Sequence, residues 1–462
     1  MNYQEALHYL DSFTNYEQLP AQAYAAEKFD LKRVEMLLHQ LGDPHLGRIT
    51  VHIAGTKGKG SAAAMMASVL GMAGYRTGLL TSPHLCNFRE RIRLDGSAIS
   101  ESVLAELVEQ VKPMVEAYHV APVFGKLTTF ELVTVVALLY FQQCGATAQV
   151  LEVGLGGRLD ATNVVPKPDL CFITPVSYDH MEVLGTTLTA IAREKAGIIK
   201  QGVPLVMAPQ ENEARAVIAA RCYELDAPLV DVDRRTKWIR INQTLEGQSF
   251  EVRGLRTGFK LWTCLLGAVQ MENAATVVAG FEVLRELGMA LPRGAVEEGI
   301  ARVTWPGRLQ VLAEAPLLLL DGAHNGASAR RLREALQEDF PHRRVILVVG
   351  SLADKDIQRI ASELAPVADQ VITARLASPR SADPLNIAGA FARYGVPAEP
   401  AKNVADALDA ARAAASPVDL ICATGSLYLV GEVLAQLRPS GEALDIFLSK
   451  EAYYPRLAGV YV

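Results

Sequence analysis

A glycine- and lysine-rich stretch, Ala54-Gly-Thr-Lys-Gly-Lys-Gly-Ser61, has the residue types that bind phosphate groups. It follows a predicted strand and opens a predicted helix, which is the setting of a phosphate-binding loop. Its glycines let backbone N–H groups approach an anion, and the helix N-terminus adds partial positive charge. Lys59 is placed to reach terminal phosphates, and the Ser61 hydroxyl can bind Mg²⁺ or a phosphate. Gly60 stands where a hydroxyl residue usually follows the lysine, but the loop still favours ATP or GTP over NAD.

Further ligand-bearing residues follow other predicted strands. Glu152 ends one apolar strand, Ser82 follows another, and Asp179-His180 comes soon after a third. Because ligands of open α/β sheets bind beyond the carboxyl ends of the strands, we expect these residues at one rim. A carboxylate there can hold Mg²⁺ against phosphate oxygens. Taken alone, His180 favours a structural hydrogen bond, since Mg²⁺ prefers oxygen, and Glu152 could merely cap a loop.

Short apolar runs alternate with longer helix-patterned stretches along the first part of the chain. Ala62–Met72 predicts a helix between strands at Ile49–Ala54 and Gly78–Leu80, which together make a β-α-β unit. More buried strands are predicted at Gln149–Val153, Leu170–Thr174 and Pro204–Ala208. They show little polar alternation, as expected for a parallel sheet covered on both faces.

Two changes of pattern divide the rest of the chain. Residues 233–263 alternate polar and apolar side chains between turns, which predicts a small antiparallel sheet attached to the α/β body. Thr304-Trp-Pro-Gly-Arg308 cannot continue a helix and is the expected linker. A second β-α series then begins at Leu317–Leu320. We therefore predict an α/β protein with a domain boundary near residue 306.

Composition sets limits on the function. The chain has 462 residues with 45 basic and 51 acidic side chains, a net charge of −6 that argues against a general nucleic-acid binder. Its six cysteines are sparse and none are spaced as C-x-x-C, which argues against a disulfide framework or a zinc site. The first residues lack a signal-peptide pattern, and the longest apolar run, Val133–Phe141, is too short for a membrane span. We expect a soluble cytoplasmic protein with no membrane partner.

The motifs as a set resemble those of the folylpolyglutamate synthase and dihydrofolate synthase family, within the Mur ligase superfamily. They occur in family order over most of the chain: Phe29-Asp-Leu-Lys-Arg33, Gly55–Ser61, Ser82-Pro-His-Leu85, Arg89-Glu-Arg-Ile-Arg93, Glu152–Asn163, Asp179-His180, Arg193–Ile198, Trp305–Arg308, Asp321-Gly-Ala-His-Asn325 and Gly425-Ser-Leu-Tyr428. The segment Glu152–Asn163 is close to diagnostic by itself.

The resemblance implies both a fold and a reaction. It implies a Mur-ligase-like P-loop ATPase domain with a small antiparallel β addition (1–306), followed by a Rossmann-like domain (307–462) that closes over nucleotide and glutamate. ATP would phosphorylate a carboxylate of folate or dihydropteroate, and the amino group of L-glutamate would attack the resulting acyl phosphate. Such an enzyme mainly positions its substrates and stabilises negative charge. A monomer is expected.

The resemblance also implies roles for individual residues. The nucleotide would contact Gly55, Thr56, Lys57, Gly58, Lys59, Gly60, Ser61, Asn273, Arg308 and Asp321. Two Mg²⁺ ions would be held by Ser61, Ser82, Glu152, His180 and Lys195, with Lys195 N-carboxylated. Catalytic roles fall to Lys59, Lys195, Arg308 and His324. The pterin substrate and incoming glutamate would contact Thr128, Thr129, Phe130, Glu131, Leu159, Asp160, Ala161 and Ser426.

Some positions depart from the family pattern or have no assigned role. Val269 stands where a histidine usually precedes Gln270, and position 57 is lysine where many bacterial members have asparagine. Asp354-Lys-Asp356 matches a family pattern whose role is not assigned. Two alternative functions remain open: a ligase of the same fold acting on another carboxylate, such as a cell-wall precursor, and a nucleotide-binding switch without ligase activity.

Overall fold

The computed structural model describes residues 1–17, 30–120 and 122–437. Phe29, which opens one of the family-like motifs, lies outside these ranges, as does the end of the predicted second domain after residue 437. None of the helices in the described ranges is both long enough and apolar enough to span a bilayer.

The first sheet is mostly parallel and carries the phosphate loop. Its strands are β1 (Ile49–Ala54), β2 (Thr77–Leu80), β3 (Ile92–Leu94), β4 (Ser97–Ala98), β5 (Ala148–Glu152), β6 (Leu170–Ile173), β7 (Leu205–Met207) and β8 (Leu229–Asp231). They lie in the order β4-β3-β2-β5-β1-β6-β7-β8, with antiparallel pairing at β2–β3 and β3–β4 and parallel pairing elsewhere. The carboxyl ends of β1, β2, β5 and β6 therefore share one rim.

Helices cover both faces of this sheet. They are α1 (Tyr3–Asp11), α2 (Leu31–Gln40), α3 (Lys59–Met72), α4 (Glu101–Val120), α5 (Thr129–Gln143), α6 (Met181–Leu184), α7 (Leu188–Ala196), α8 (Asn212–Glu224), α9 (Val232–Arg235), α10 (Ala268–Glu286) and α11 (Gly294–Arg302). Side chains of α3, α10 and α11 pack with Val51 and Phe172 on one face, and those of α1, α2, α4 and α5 pack with Leu151 on the other. Burial from both sides explains why the central strands are apolar throughout.

The antiparallel addition predicted at 233–263 is confirmed. Strands β9 (Lys237–Gln243), β10 (Gln248–Arg253) and β11 (Gly258–Thr263) pair in the order β11-β10-β9. Phe250 and Phe259 point into the core beneath α10, while the alternate positions face outward. The period of two in the sequence therefore reflects a sheet that is buried on one face.

A second α/β unit follows α11. Its strands are β12 (Gln310–Glu314), β13 (Leu317–Leu320), β14 (Val345–Val349), β15 (Gln370–Ala374), β16 (Ala398–Ala401) and β17 (Leu420–Thr424), in the order β12-β13-β17-β14-β15-β16. Its helices are α12 (Gly326–Glu338), α13 (Ile357–Leu364), α14 (Pro384–Ala392), α15 (Val404–Ala414) and α16 (Leu427–Leu437). The boundary predicted near residue 306 falls between α11 and β12, where the chain passes from one sheet to the other.

A buried ion pair attaches α2 to the start of α5. Arg33 Nε donates to Glu131 Oε1 at 2.6 Å, and both side chains are almost fully buried. The same carboxylate accepts from the Thr128 backbone N–H, which completes the N-terminal cap of α5. Glu131, a predicted substrate contact, therefore has a structural partner in α2.

We predict that Arg33→Met lowers the free energy of unfolding by about 3–5 kcal/mol, because it leaves the Glu131 carboxylate buried without its cation. Adding Glu131→Gln should recover most of that loss, since the amide keeps an acceptor for the cap without the charge. Urea denaturation followed by circular dichroism measures both. The exposed pair Arg330–Glu334 is the control, and its loss should cost no more than about 0.5 kcal/mol. An Arg33 effect as small as the control would contradict this account.

Candidate active site

The phosphate loop lies between β1 and α3 and is shaped by close contacts. Gly55 has φ +145°, and a Cβ there would lie 1.9 Å from Thr174 Oγ1. Gly58 has φ +82°, and a Cβ there would lie 2.5 Å from Asn273 Oδ1. The loop is therefore held against β6 and α10 at distances that only glycine permits. Asn273, a predicted nucleotide contact, borders the loop directly.

Lys57 and Asp179 join the loop to the second domain. Lys57 Nζ donates to Asp179 Oδ2 at 3.1 Å, and Lys355 Nζ of the second domain donates to Asp179 Oδ1 at 3.1 Å. Asn325 Nδ2, at the start of α12, donates to the same carboxylate at 2.8 Å. Burial alone would raise the pKa of Asp179, but Lys57 and Lys355 hold it well below its usual range. Asp179 is thus an anion shared by both domains.

His324 contacts the phosphate loop from the second domain. Its Nε2 lies 3.2 Å from Lys57 Nζ, and its Nδ1 lies 2.8 Å from the Gly322 carbonyl oxygen. Burial and the nearby Lys57 ammonium lower the pKa of His324 to about 4, so the ring is neutral at pH 7. A neutral ring that donates from Nδ1 to Gly322 accepts from Lys57 at Nε2. The structure therefore brings predicted residues of the two domains into direct contact.

Glu152 lies at the carboxyl end of β5 beside the loop. Its Oε1 is 4.0 Å from Lys59 Nζ, and its Oε2 accepts from the Ser82 backbone N–H at 3.3 Å. Burial raises the pKa of Glu152 to about 7, with Lys59 only partly offsetting the effect. A buried carboxylate with so little compensating charge suits a bound cation.

Lys195 of α7 lies beneath the phosphate loop. Its Nζ donates to the Gly55 carbonyl oxygen at 2.7 Å, and its side chain is buried. Burial, with Lys59 nearby, lowers the pKa of Lys195 to about 7. The neutral amine is therefore well populated at neutral pH, which is unusual for a lysine.

The predicted magnesium ligands are two serines, one carboxylate, one imidazole and a modified lysine. Within the ranges that the structure describes, there is no group of three or more His, Cys, Asp or Glu side chains that could hold a metal ion. Only Glu152 and His180 of the predicted set are of those types, so the set stays a prediction. His180 has φ +50° at the start of α6, and its side chain is 43% exposed next to Asp179. Ser61 is buried in the first turn of α3.

The linker and the first strands of the second domain complete the nucleotide side. Asp321 follows β13, and its carboxylate accepts from the backbone N–H groups of Leu309 at 3.1 Å and Ala323 at 2.9 Å. Burial lowers the pKa of Arg308, and the charges of Asp321 and Glu152 only partly offset that effect. Trp305 packs over the loop, where a Cβ on Gly60 would lie 2.9 Å from its ring. Arg308 interacts electrostatically with Glu152, and Asp321 with Lys57 of the loop; their contact with a nucleotide stays a prediction.

The two predicted pterin-site segments meet at Gly154. A Cβ on Gly154 would lie 2.9 Å from Phe130 Cζ and 3.3 Å from Asp160 Oδ2. Asp160 accepts from the Leu155 N–H at 2.9 Å and the Thr162 N–H at 3.0 Å, and burial raises its pKa. Leu159 is half-buried before it, and the buried Ala161 begins a short 3₁₀ helix, Ala161–Val164.

The remaining predicted substrate contacts have partners of their own. Thr128 caps α5, and Thr129 Oγ1 donates to the Leu10 carbonyl oxygen at 3.0 Å. Ser426 is buried before α16, and its Oγ accepts from the Tyr428 N–H at 3.1 Å. Phe130, which is only partly buried, is therefore the member of the Thr128–Glu131 segment best placed to contact a flat ring.

Two residues of this site were assigned no role from the sequence. Lys355 belongs to the Asp354-Lys-Asp356 pattern, and Asn325 ends the Asp321–Asn325 motif. Their positions in motifs were a signal, but their common partner, Asp179, lies 176 and 146 residues away in the chain. Spacing alone does not reveal contacts over such distances.

Comparisons with known proteins agree with this architecture. Residues 53–280 match the Mur ligase middle domain, and residues 307–427 match the Mur ligase, glutamate ligase domain. The dihydrofolate synthase/folylpolyglutamate synthase of Bacillus subtilis is 34% identical over 435 residues, which covers 92% of this chain and 100% of the relative. The Escherichia coli protein of that description is 33% identical, over 87% of this chain and 90% of its own.

Solved structures give the same picture. Mycobacterium tuberculosis folylpolyglutamate synthase complexed with ADP and AMPPCP superposes with a TM-score of 0.85 at 32% identity, covering 94% of this chain and 98% of that chain. E. coli FolC in complex with DHPP and ADP superposes with a TM-score of 0.80 at 30% identity, covering 95% of this chain and 98% of that chain. The predicted fold class is confirmed.

We predict that Asp179→Asn loosens the contact between the domains, because Lys57 and Lys355 lose their shared counter-ion. Trypsin should cleave after Arg302 or Arg308 about threefold faster or more, since cleavage follows the population of open states. A non-hydrolysable ATP analogue should reduce the difference by supplying negative charge. The control is Asp231→Asn, whose partner Arg215 belongs to the same domain. Cleavage at the wild-type rate would contradict the shared-anion role.

Proposed function

The chain belongs to the Mur ligase family, among the folylpolyglutamate and dihydrofolate synthases, and we propose that it joins L-glutamate to a folate or to dihydropteroate. It is an ATP-dependent amide ligase, so the alternative of a nucleotide switch without ligase activity is set aside. We further propose that it acts as a cytoplasmic monomer. One chain supplies both sides of the cleft: Lys57 of the first domain and Lys355 of the second share Asp179.

The observation that carries the proposal is the meeting of the phosphate loop with the second domain. Lys57 of the loop lies 3.2 Å from His324 and shares Asp179 with Lys355. A triphosphate on this loop would therefore extend towards residues that follow the strands of the other domain. That placement suits transfer of a phosphoryl group to an acceptor held between the two domains.

The reaction that we propose has two steps. An oxygen of the acceptor carboxylate attacks the γ-phosphorus of ATP, the bond to the β-phosphate oxygen breaks, and ADP leaves. The neutral amino group of glutamate then attacks the acyl carbon, inorganic phosphate leaves, and the nitrogen releases a proton as the amide forms. Lys59 and Arg308 stabilise the negative charge that moves through both steps. His324, neutral and held by Gly322, orients Lys57 at the loop.

We propose that Ser61, Ser82, Glu152, His180 and Lys195 hold two Mg²⁺ ions beside the triphosphate. The buried Glu152 supports this, because Lys59 is 4.0 Å away and compensates its charge only in part. When bound, Mg²⁺ supplies further positive charge for the phosphate oxygens. The protein residues fix the position of the carboxylate and exclude water around it.

We propose that Lys195 is N-carboxylated. Carboxylation joins the lysine nitrogen to the carbon of CO₂ and releases a proton, so the amine must first be neutral. The lowered pKa of about 7 provides that form, and the buried position protects the product from water. The resulting group is an anion and would add an oxygen ligand to the metal site.

On the acceptor side, Phe130 and Asp160 support a site for a flat heterocycle. The ring of Phe130 can stack on such a substrate, and the Asp160 carboxyl can hydrogen-bond to its polar edge. Phe88 and Phe124 are less available for such stacking, because the guanidinium of Arg91 covers Phe88 at 5.3 Å and Lys32 covers Phe124 at 5.6 Å. Phe130 therefore remains the best placed of the three.

We predict that Lys59→Ala and Glu152→Gln each reduce kcat for phosphate release by about 10²-fold or more, because each removes a charged group from the transferring phosphate or its metal. The assay contains ATP and either dihydropteroate or tetrahydrofolate, and each acceptor is tested with and without L-glutamate. Lys237→Ala, which removes an exposed lysine of β9, is the control and should stay active. A fully active Lys59→Ala enzyme would contradict the assigned phosphate role, and release independent of glutamate would contradict the ligase.

We predict that wild-type protein incubated with ¹³C-bicarbonate shows a carbamate carbon resonance that Lys195→Arg lacks. Arginine keeps the positive charge but does not present a neutral amine at this pH. Lys200→Arg is the matched control, because Lys200 is a half-buried lysine whose pKa is also lowered, and its loss should leave the resonance intact. A resonance that survives in Lys195→Arg would contradict the modification.

A further inference from the structure

A second cluster of charged side chains lies between the domains, apart from the phosphate loop. Arg91, which is buried, makes a two-pronged contact with the carboxylate of Glu17: Nη1 lies 2.9 Å from Oε1, and Nη2 contacts Oε2. Arg91 Nε donates to His84 Nδ1 at 2.8 Å. Although burial raises the pKa of Glu17, Arg91 holds it below its ordinary value, so the carboxylate is charged. The first domain thus binds a carboxylate on a fixed guanidinium.

The second domain contributes another guanidinium to the cluster. Arg380 Nη1 contacts the backbone carbonyl oxygen of Glu17, and Nη2 donates to Asp354 Oδ1 at 2.6 Å. The buried Nε of Arg380 has no hydrogen-bond partner in the described part of the chain. Arg380 therefore has an N–H group left for a further acceptor.

The backbone around the cluster is held firmly. Glu90 accepts from the backbone N–H groups of Leu85 and Cys86, both at 2.9 Å, which fixes the loop that leads to Arg91. The same loop packs on α16, where a Cβ on Gly431 would lie only 2.1 Å from the Leu85 carbonyl oxygen. The segment that leads to Arg91 is thus held by contacts within the first domain and with α16 of the second domain.

The cluster adjoins the proposed active site through two short stretches of chain. His84 is two residues from Ser82, whose N–H contacts Glu152. Asp354 precedes Lys355, which is paired with Asp179. Arg91 and the Asp354 partner of Arg380 therefore belong to segments that continue directly from residues of the proposed active site.

We propose that Arg91 and Arg380 form a binding site for a carboxylate of a glutamyl group, and that the Glu17 carboxylate occupies it in the absence of substrate. The two-pronged contact is the geometry by which a guanidinium recognises a carboxylate. A buried guanidinium requires a counter-ion at all times, and exchange of one carboxylate for another keeps the charge balanced. The inference rests on the proposed function, because that function supplies the glutamyl ligand.

The glutamyl carboxylate has two sources: the incoming L-glutamate and the glutamyl tail of a folate acceptor. Dihydropteroate separates them, because its single carboxylate is the one that reacts. If the site takes incoming glutamate, its loss weakens glutamate binding with either acceptor. If it takes the tail, its loss weakens tetrahydrofolate binding and leaves dihydropteroate unaffected.

The experiment measures KM and kcat for Arg91→Gln and Arg380→Gln with each acceptor. We expect one KM to rise about tenfold or more, because a hydrogen-bonded charge pair is lost. It is the KM for glutamate if the site takes incoming glutamate, and the KM for tetrahydrofolate if the site takes the tail. In either case kcat should change little. Glu17→Gln should act in the opposite direction and lower the same KM, since the competing carboxylate is gone. Arg375→Gln and Arg76→Gln, which remove exposed arginines, are the matched controls.

A purely structural ion pair would give a different result. Folded variants with every KM unchanged, or a Glu17→Gln enzyme that binds both ligands more weakly, would overturn the proposal. If the arginine→Gln variants fail to fold, the same KM values measured for Arg380→Lys and Glu17→Gln test the proposal. Wild-type enzyme without glutamate-dependent phosphate release would instead contradict the proposed function, so the two failures are distinguishable.

Discussion

Two ammonium groups from different domains, Lys57 and Lys355, each lie 3.1 Å from the carboxylate of Asp179. Without that carboxylate the two cations would repel each other across the domain junction, at the place where the phosphate loop meets the second sheet. Asn325 adds a hydrogen bond to the same anion. Domain contact and anion binding therefore depend on the same charges. A triphosphate that drew Lys57 towards its own oxygens would change how the second domain is held, and we propose that nucleotide binding is linked to closure of the cleft in this way.

The same low-dielectric surroundings set the charge of the groups nearest the loop. Burial raises the pKa of Glu152 to about 7 and lowers that of Lys195 to about 7, so both groups are partly uncharged near neutral pH. A bound cation would favour the carboxylate form of Glu152, and CO₂ would convert Lys195 from a base into an anion. The ligands that bind therefore determine the charge of this site. Lys59, which borders both residues, keeps their anionic forms close to positive charge.

Local patterns in the sequence were enough to predict the features that lie within a single β-α connection. The phosphate loop Ala54–Ser61 and the strand-end position of Glu152 both follow from apolar runs that stop at polar or glycine residues. The start of α3 was predicted at residue 62, but the helix begins at Lys59, because Gly58 takes a left-handed conformation and ends the loop early. The contact between Asp179 and Lys355 could not be predicted, since it depends on how two separate sheets pack and no periodicity in the sequence reports that.

The Glu17 carboxylate illustrates how a protein can keep a buried cation stable before its ligand arrives. Arg91 remains charged at any ordinary pH, so its site cannot simply lose its anion when substrate leaves. A side chain that replaces the substrate carboxylate avoids the cost of an unpaired buried charge, and its release is offset when another carboxylate binds. Because Arg380 comes from the other domain, such an exchange would also change the contacts at the domain junction. Carboxylate recognition at Arg91 and closure on the nucleotide side would then depend on a common property of the fold: each places cations of both domains around one anion.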